Sequence, residues 1–144
     1  MARVSFYFNV QNHDLALCQL ANKALNRGLT LGILTGSISA SAAMDTFLWQ
    51  VPDIGFLPHC VHDHPLAEHT PVLIAHSIAH IPERNVLFNA SGQPCGQPER
   101  FDRVIEIVAL DDIPARDLAR ERARQYRSQG LTVDFTDMAA SRPG

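Results

Sequence analysis

Short apolar runs alternate along the chain with segments of helical periodicity, and this alternation constrains the fold more than any other feature. The runs cover residues 4–10, 29–35, 71–75, 86–89 and 103–110. They have the composition and length of buried strands. Because strands that are apolar on both faces need helices on both sides, we predict a three-layer α/β/α fold with a mostly parallel central sheet. The length of 144 residues fits one α/β domain spanning 1–144.

Three segments between the runs are predicted to be helices. They cover residues 13–27, 37–49 and 113–129. Asn12 is a capping residue for the first, and Gly28 is placed as its left-handed stop. The third has Pro114 in its first turn and Gly130 at its end, which makes it the clearest of the three.

The remaining segments are predicted to be a long loop and a C-terminal segment. Residues 52–70 read as a loop with a short extended piece at Phe56-Leu57. Residues 131–135 read as a last strand or as a tail packed on the sheet. We expect a flexible C-terminal end over about 136–144.

Composition excludes several classes of protein. Apolar residues make up 46% of the chain and charged residues 19%, which excludes a disordered chain. No stretch approaches the roughly 20 apolar residues of a membrane-spanning helix, and no export signal is visible at the N-terminus. The three cysteines, Cys18, Cys60 and Cys95, are odd in number and scattered. We therefore expect a cytoplasmic protein without disulfides.

The turns after the first two strands lack a phosphate-binding loop. Such a loop needs several glycines and a lysine that reaches the phosphates. Residues 9–14 contain no glycine, and the segment from Thr35 to Ala40 has only Gly36 and no lysine. The predicted fold is therefore Rossmann-like without a phosphate-binding loop, and no nucleotide cofactor is expected.

Histidines between residues 59 and 69 suggest an alternative function, a small zinc-dependent enzyme. The possible ligands are His59, Cys60, His62, Asp63, His64 and His69. Their dense spacing along one loop differs from the paired spacing of structural zinc modules. His76 and His80 also lie four residues apart, but no adjacent glutamate completes a metalloprotease motif. We expect solvated loop histidines and no native metal.

Arginines on the last helix are the strongest physical signal. Arg116, Arg120, Arg124 and Arg127 lie at about 0°, 40°, 80° and 20° around the helix axis. These four arginines therefore form one narrow stripe along the helix. The residues predicted to face the core are Leu118, Ala115, Ala119 and Tyr126. Small Ala123 is predicted to leave a recess beside the arginine stripe. Because neighbouring like charges repel, the stripe suggests a partner that carries carboxylates or phosphates.

Charge distribution leaves three interpretations of this helix open. The window from Arg116 to Arg127 carries +3, which leaves −6 on the rest of a chain whose net charge is −3. The stripe could bind an acidic peptide, bind nucleic acid directly, or be a solvated helix face. The acidic remainder argues against nucleic acid.

Several short motifs follow one another along nearly the whole chain. They are Phe6-Tyr7-Phe8, Phe47-Leu48-Trp49, Phe56-Leu57-Pro58-His59, Pro71-Val72-Leu73-Ile74, Asn85-Val86-Leu87-Phe88-Asn89, Phe101-Asp102-Arg103-Val104-Ile105-Glu106-Ile107-Val108, and Leu118-Ala119-Arg120-Glu121-Arg122 with Tyr126-Arg127 and Gly130. In this order and spacing they resemble the chi subunit family of bacterial DNA polymerase III.

The resemblance implies an accessory role in DNA replication without catalysis or cofactors. A chi subunit has a nucleotide-binding-like fold without the phosphate loop. It belongs to the clamp-loader complex of the polymerase III holoenzyme, where it forms a heterodimer with the psi subunit. It also binds the acidic, phenylalanine-ended C-terminal tail of single-stranded DNA-binding protein. No direct contact with nucleic acid is expected.

The resemblance also implies two binding surfaces. The basic positions for the acidic tail match Arg120 and Arg124, with Val108 as an apolar wall, and Arg116 and Arg127 complete the stripe. Ala123 stands where the family has an aromatic residue. The surface for psi carries over to Trp49, Phe56 and Pro58. We expect tail binding of micromolar affinity that weakens with salt.

Overall fold

A computed structural model describes residues 2–50 and 58–139. Within these ranges, seven parallel strands form one central sheet in the order β3-β4-β2-β5-β6-β1-β7. The strands are β1 (Arg3–Val10), β2 (Leu31–Thr35), β3 (His59–Val61), β4 (Val72–Ala75), β5 (Arg84–Ala90), β6 (Phe101–Ala109) and β7 (Thr132–Asp137). The predicted fold class is confirmed.

In the part of the chain that the structure describes, three α-helices cover the sheet, and their ends follow the capping signals in the sequence. They are α1 (His13–Asn26), α2 (Ile38–Gln50) and α3 (Ile113–Ser128). The side chain of Asn12 accepts a hydrogen bond from the Leu15 backbone N–H at 3.1 Å, as an N-cap residue does. Gly28 and Gly130 have φ angles of +78° and +84°, so α1 and α3 end at the predicted left-handed glycines.

Hydrophobic cores lie on both faces of the sheet. One core joins α1 and α2 to the sheet through residues such as Leu17, Leu48 and Ile33. The other joins α3 to the opposite face, where Tyr126 packs against Phe6 at a ring separation of 6.2 Å. Because side chains alternate along a strand, each inner strand contributes to both cores. The result is the predicted three-layer arrangement.

Two predictions about the sheet edges were wrong in detail. Residues 59–61, expected in a loop, form edge strand β3, and Ala67–His69 form a 3-10 turn. The predicted extended piece at Phe56-Leu57 lies outside the described residues. At the opposite edge β7 continues through Thr136 and Asp137, where a frayed end was expected. The Met138 N–H still donates to the Phe8 carbonyl at 2.9 Å. Backbone pairing with β1 therefore continues beyond the apolar segment 131–135.

The prediction that Leu118 faces the core was wrong, since this side chain is 58% exposed. Helix α3 contacts the sheet through Ala119, Ala123 and Tyr126, which cluster near 300° on the helix. Leu118 lies about 100° away from the centre of that face. Small alanines bring the helix close to the sheet, and the buried face is too narrow to include Leu118.

Candidate functional site

A hollow of about 210 Å³ opens between α3 and strands β1 and β7. The side chains that line it come from four elements: Phe6 and Phe8 of β1, Val108 of β6, Arg116, Ala119 and Arg120 of α3, and Phe135 of β7. For comparison, a cavity of about 150 Å³ accepts a benzene ring. The hollow therefore has room for one large apolar side chain.

The floor and one wall of the hollow are apolar. Phe6, Val108 and Ala119 are buried and form the floor. Phe135 is 47% exposed and stands at the edge, with its ring 5.4 Å from Phe6 and 6.4 Å from Phe8. Exposed aromatic surface beside a hollow is a common anchor for a binding partner.

Two arginines form the polar side of the same hollow. The Arg116 Nε is buried and has no hydrogen-bond partner among the described residues. An unsatisfied buried donor costs about 1–3 kcal/mol, more when charged, so an acceptor from a ligand would stabilise this arrangement. Arg120 is largely exposed and lies 3.8 Å from Asp117, an exposed pair that contributes little to stability and leaves the guanidinium accessible.

The other predicted members of the stripe lie outside the hollow. The Arg127 guanidinium lies 5.3 Å from the centre of the Phe135 ring and so stabilises the aromatic wall. Arg124 is exposed and donates to Glu121 at 3.1 Å. Ala123 is buried in the core and does not line the hollow, which opens beside Ala119 instead of at the expected recess. The structure thus brings Arg116 and Arg120 together with Val108.

The sequence did not predict the aromatic wall of the hollow, which is formed by Phe8 and Phe135. Phe8 and Phe135 come from strands that are neighbours only in the folded sheet, and β1 and β7 are more than a hundred residues apart in the chain. The one available signal was the strand predicted over residues 131–135. Had it been paired with the first strand, Phe135 would have been placed on the face of α3.

A buried carboxylate fixes α3 to the sheet. Glu106 on β6 is 1% exposed and accepts hydrogen bonds from the Arg122 Nε at 2.8 Å, the Tyr126 hydroxyl at 2.7 Å and the Asn89 amide at 3.1 Å. Burial raises the pKa of Glu106, and the opposing effect of the Arg122 charge and the three hydrogen bonds does not fully cancel it. The network holds the helix that carries Arg116 and Arg120.

A second candidate surface lies at the end of α2. Trp49 is 59% exposed, and Leu66, in the loop after β3, is 60% exposed. Together with Pro58 they line a groove of about 780 Å³. The Trp49 ring lies 4.6 Å from the His59 ring. Phe56, the remaining residue predicted for this surface, lies outside the described residues.

Histidines take positions that the loop interpretation did not anticipate. His59 is buried, and its Nε2 lies 3.2 Å from the Asp45 carbonyl oxygen. The rings of His62 and His80 stack at 4.1 Å, with His76 at 6.0 Å from His62. In the part of the chain that the structure describes, no group of three His, Cys, Asp or Glu side chains could hold a metal ion. The zinc alternative therefore has no ligand set within that part.

No helix within residues 2–50 and 58–139 combines the length and the apolar composition of a membrane span.

Comparison with known proteins gives a consistent result. Residues 1–134 match the family model of the DNA polymerase III chi subunit, HolC. The chain is 28% identical over 139 residues to the DNA polymerase III subunit chi of Pseudomonas aeruginosa, covering 92% of this chain and 94% of that protein. It is also 28% identical over 133 residues to the subunit of the same name from Haemophilus influenzae, covering 89% and 92% of the two chains.

Proposed function

The chain belongs to the DNA polymerase III chi subunit family, and we propose that it acts as a non-catalytic accessory subunit that binds the acidic C-terminal tail of single-stranded DNA-binding protein. The tail occupies the hollow beside α3. A second surface around Trp49 and Pro58 binds the psi subunit, and through psi the chain joins the clamp-loader complex. The protein thereby bridges psi to single-stranded DNA-binding protein during DNA replication.

One observation carries the first part of this proposal: two arginines and an apolar floor share one hollow. The tail expected from the family resemblance is acidic and ends in phenylalanine. Its last ring would enter the space between Phe8, Phe135 and Val108. Its terminal carboxylate would accept hydrogen bonds from Arg116 and Arg120. Arginine suits this task because its planar fork of donors matches a carboxylate.

Calorimetric titration with a peptide copying the last residues of the host's single-stranded DNA-binding protein tests this part. We expect micromolar affinity that falls as salt is raised, since exposed charge pairs are screened. Arg116→Ala and Arg120→Ala should each weaken binding about tenfold, because each removes a hydrogen bond between charged groups. Phe135→Ala should weaken it by a similar factor through lost aromatic contact.

A matched control separates local contacts from net charge. Gln19→Glu also makes the chain more negative by one charge, but it lies exposed on α1, across the sheet from the hollow. We expect less than a twofold change for Gln19→Glu. If both arginine variants bind the peptide as tightly as the parent protein at low salt, this assignment of the hollow is wrong.

The surface around Trp49 is proposed for psi because exposed tryptophan is enriched in binding hot spots. Trp49→Ala should reduce co-purification with the psi subunit of the same organism by more than tenfold. Ile38→Ala is the control, since Ile38 is 72% exposed at the opposite end of the same helix. Equal retention of psi by both variants would overturn the assignment.

A further inference from the structure

A second group of cations lies on the face of the sheet opposite α3. Lys23 and Arg27, at the end of α1, and Arg103, near the start of β6, line a hollow of about 180 Å³. Its remaining lining includes Tyr7 and Leu20. Along β1, Phe6 and Phe8 line the arginine hollow beside α3, whereas Tyr7 lines this one. The two hollows are therefore separate and lie on opposite sides of one strand.

The three cations of this hollow form no ion pairs within the described residues. No carboxylate there forms an ion pair with Lys23, Arg27 or Arg103. Arg103 lies directly opposite Arg3 in the register of β1 and β6, and like charges in that position are destabilising. Arg3 is accompanied by Asp134 at 3.5 Å, but Arg103 has no such neighbour.

Helix electrostatics account for only part of this cluster. Cations are favoured near a helix C-terminus, which explains Lys23 and Arg27. Arg103 comes from a strand, and nothing in the helix requires it. Three cations around one concave surface outweigh the partial negative charge of the helix end and leave a net attraction for an anion.

We propose that this hollow binds a single phosphate group. Guanidinium groups donate paired hydrogen bonds to phosphate oxygens, and an ammonium group adds a point charge. The hollow of about 180 Å³ has room for one phosphate group. The Tyr7 ring beside the cations offers a surface on which a base or sugar of the same ligand can stack.

The overall charge limits what such a ligand can be. With a net charge of −3, the chain does not attract a long polyanion by bulk electrostatics. A single phosphate is the shared chemistry of two sources, a free phosphate or mononucleotide and one phosphodiester of a single-stranded nucleic acid. Both sources are compatible with a three-cation hollow.

Nuclear magnetic resonance titration of the full chain with inorganic phosphate tests the site directly. At constant ionic strength, phosphate should shift the backbone amides of Tyr7, Lys23 and Arg103 with saturation in the millimolar range. Arg103→Gln should weaken this binding about fivefold, the upper end for one exposed charge pair. Gln125→Glu, exposed on α3, changes net charge equally and should leave phosphate affinity within twofold.

Titrations with two further probes identify the source of the phosphate and show which results would contradict the proposal. A short oligothymidylate that causes the same shifts, lost in Arg103→Gln, identifies a nucleic-acid phosphodiester. If phosphate and thymidine monophosphate cause these shifts and the oligothymidylate does not, the source is a free phosphate or mononucleotide. Absence of saturable shifts with all three probes, equal loss in the control variant, or tighter binding of an acidic tripeptide than of phosphate would overturn the proposal. None of these results depends on the tail-binding hollow.

Discussion

Removal of one hydroxyl group tests how α3 is held on the sheet. In Tyr126→Phe the buried ring stays and only the hydroxyl is lost. That hydroxyl donates to Glu106 at 2.7 Å and accepts from the Cys95 backbone N–H at 2.8 Å. The substitution therefore removes a hydrogen bond to a buried carboxylate and leaves a buried backbone donor without its acceptor.

The expected loss follows from these two contacts. A hydrogen bond to a charged group contributes about 1.5–3 kcal/mol, and an unsatisfied buried donor costs about 1–3 kcal/mol. Because Asn89 still donates to Glu106 at 3.1 Å, the two costs do not add fully. We expect the free energy of unfolding to fall by about 2–4 kcal/mol. For a chain of this length, the melting temperature should fall by roughly 6–12 °C.

Urea unfolding followed by circular dichroism measures this loss, with an unchanged dependence on denaturant showing that the unfolded states are comparable. Tyr7→Phe is the matched control, because Tyr7 is half-buried on the other face of the sheet and outside the network. Its effect should stay within about 0.5 kcal/mol. A loss below about 0.5 kcal/mol for Tyr126→Phe would refute the view that this network anchors α3.

Two further substitutions test the core between α3 and the sheet. Because burial raises the pKa of Glu106, its carboxyl holds a proton to higher pH in the folded protein than in the unfolded chain. The stability that this proton contributes is complete below the ordinary glutamate pKa of about 4.3 and is lost as pH rises through the raised pKa. The free energy of unfolding of the parent relative to Glu106→Gln should therefore decrease as pH rises above about 4.3. An increase with pH in urea titrations would contradict the raised pKa. Gly32→Ala should lower the free energy of unfolding by about 1–2 kcal/mol, because its new methyl group would meet the buried Ile81 side chain at 2.7 Å. Gly96→Ala is its control, since nothing lies within 4 Å of that methyl group, and equal melting temperatures for the two variants would show that the core around Gly32 can adjust.

The inner strands and the helices α1, α2 and α3 could be predicted from the sequence because their signals are local. A run such as residues 31–35 is apolar on both faces, and capping residues such as Asn12 act on their own helix. Edge strand β3 gave no such signal, because it has three residues and begins with a histidine. The buried His59 contacts Asp45, which is fourteen residues away in the chain, and the local sequence does not reveal this contact.

The candidate site was predictable only in part, for the same reason. Helical periodicity placed Arg116 and Arg120 on one stripe, and the structure puts both at one hollow. Periodicity could not show that Arg127 lies over Phe135, nor that Arg122 turns inward to Glu106. Those contacts depend on the pairing of β1 with β6 and β7, which joins residues distant in the chain.

A double-mutant cycle between Arg120 and the end of the tail peptide tests the central claim most directly. Calorimetry would compare the free-acid peptide with its C-terminal amide, each against the parent protein and Arg120→Ala. If the guanidinium contacts the terminal carboxylate, amidation should weaken binding to the parent about tenfold and have little further effect on Arg120→Ala, a coupling of at least about 1 kcal/mol. Additive effects of the two changes would contradict the placement of the chain end in this hollow.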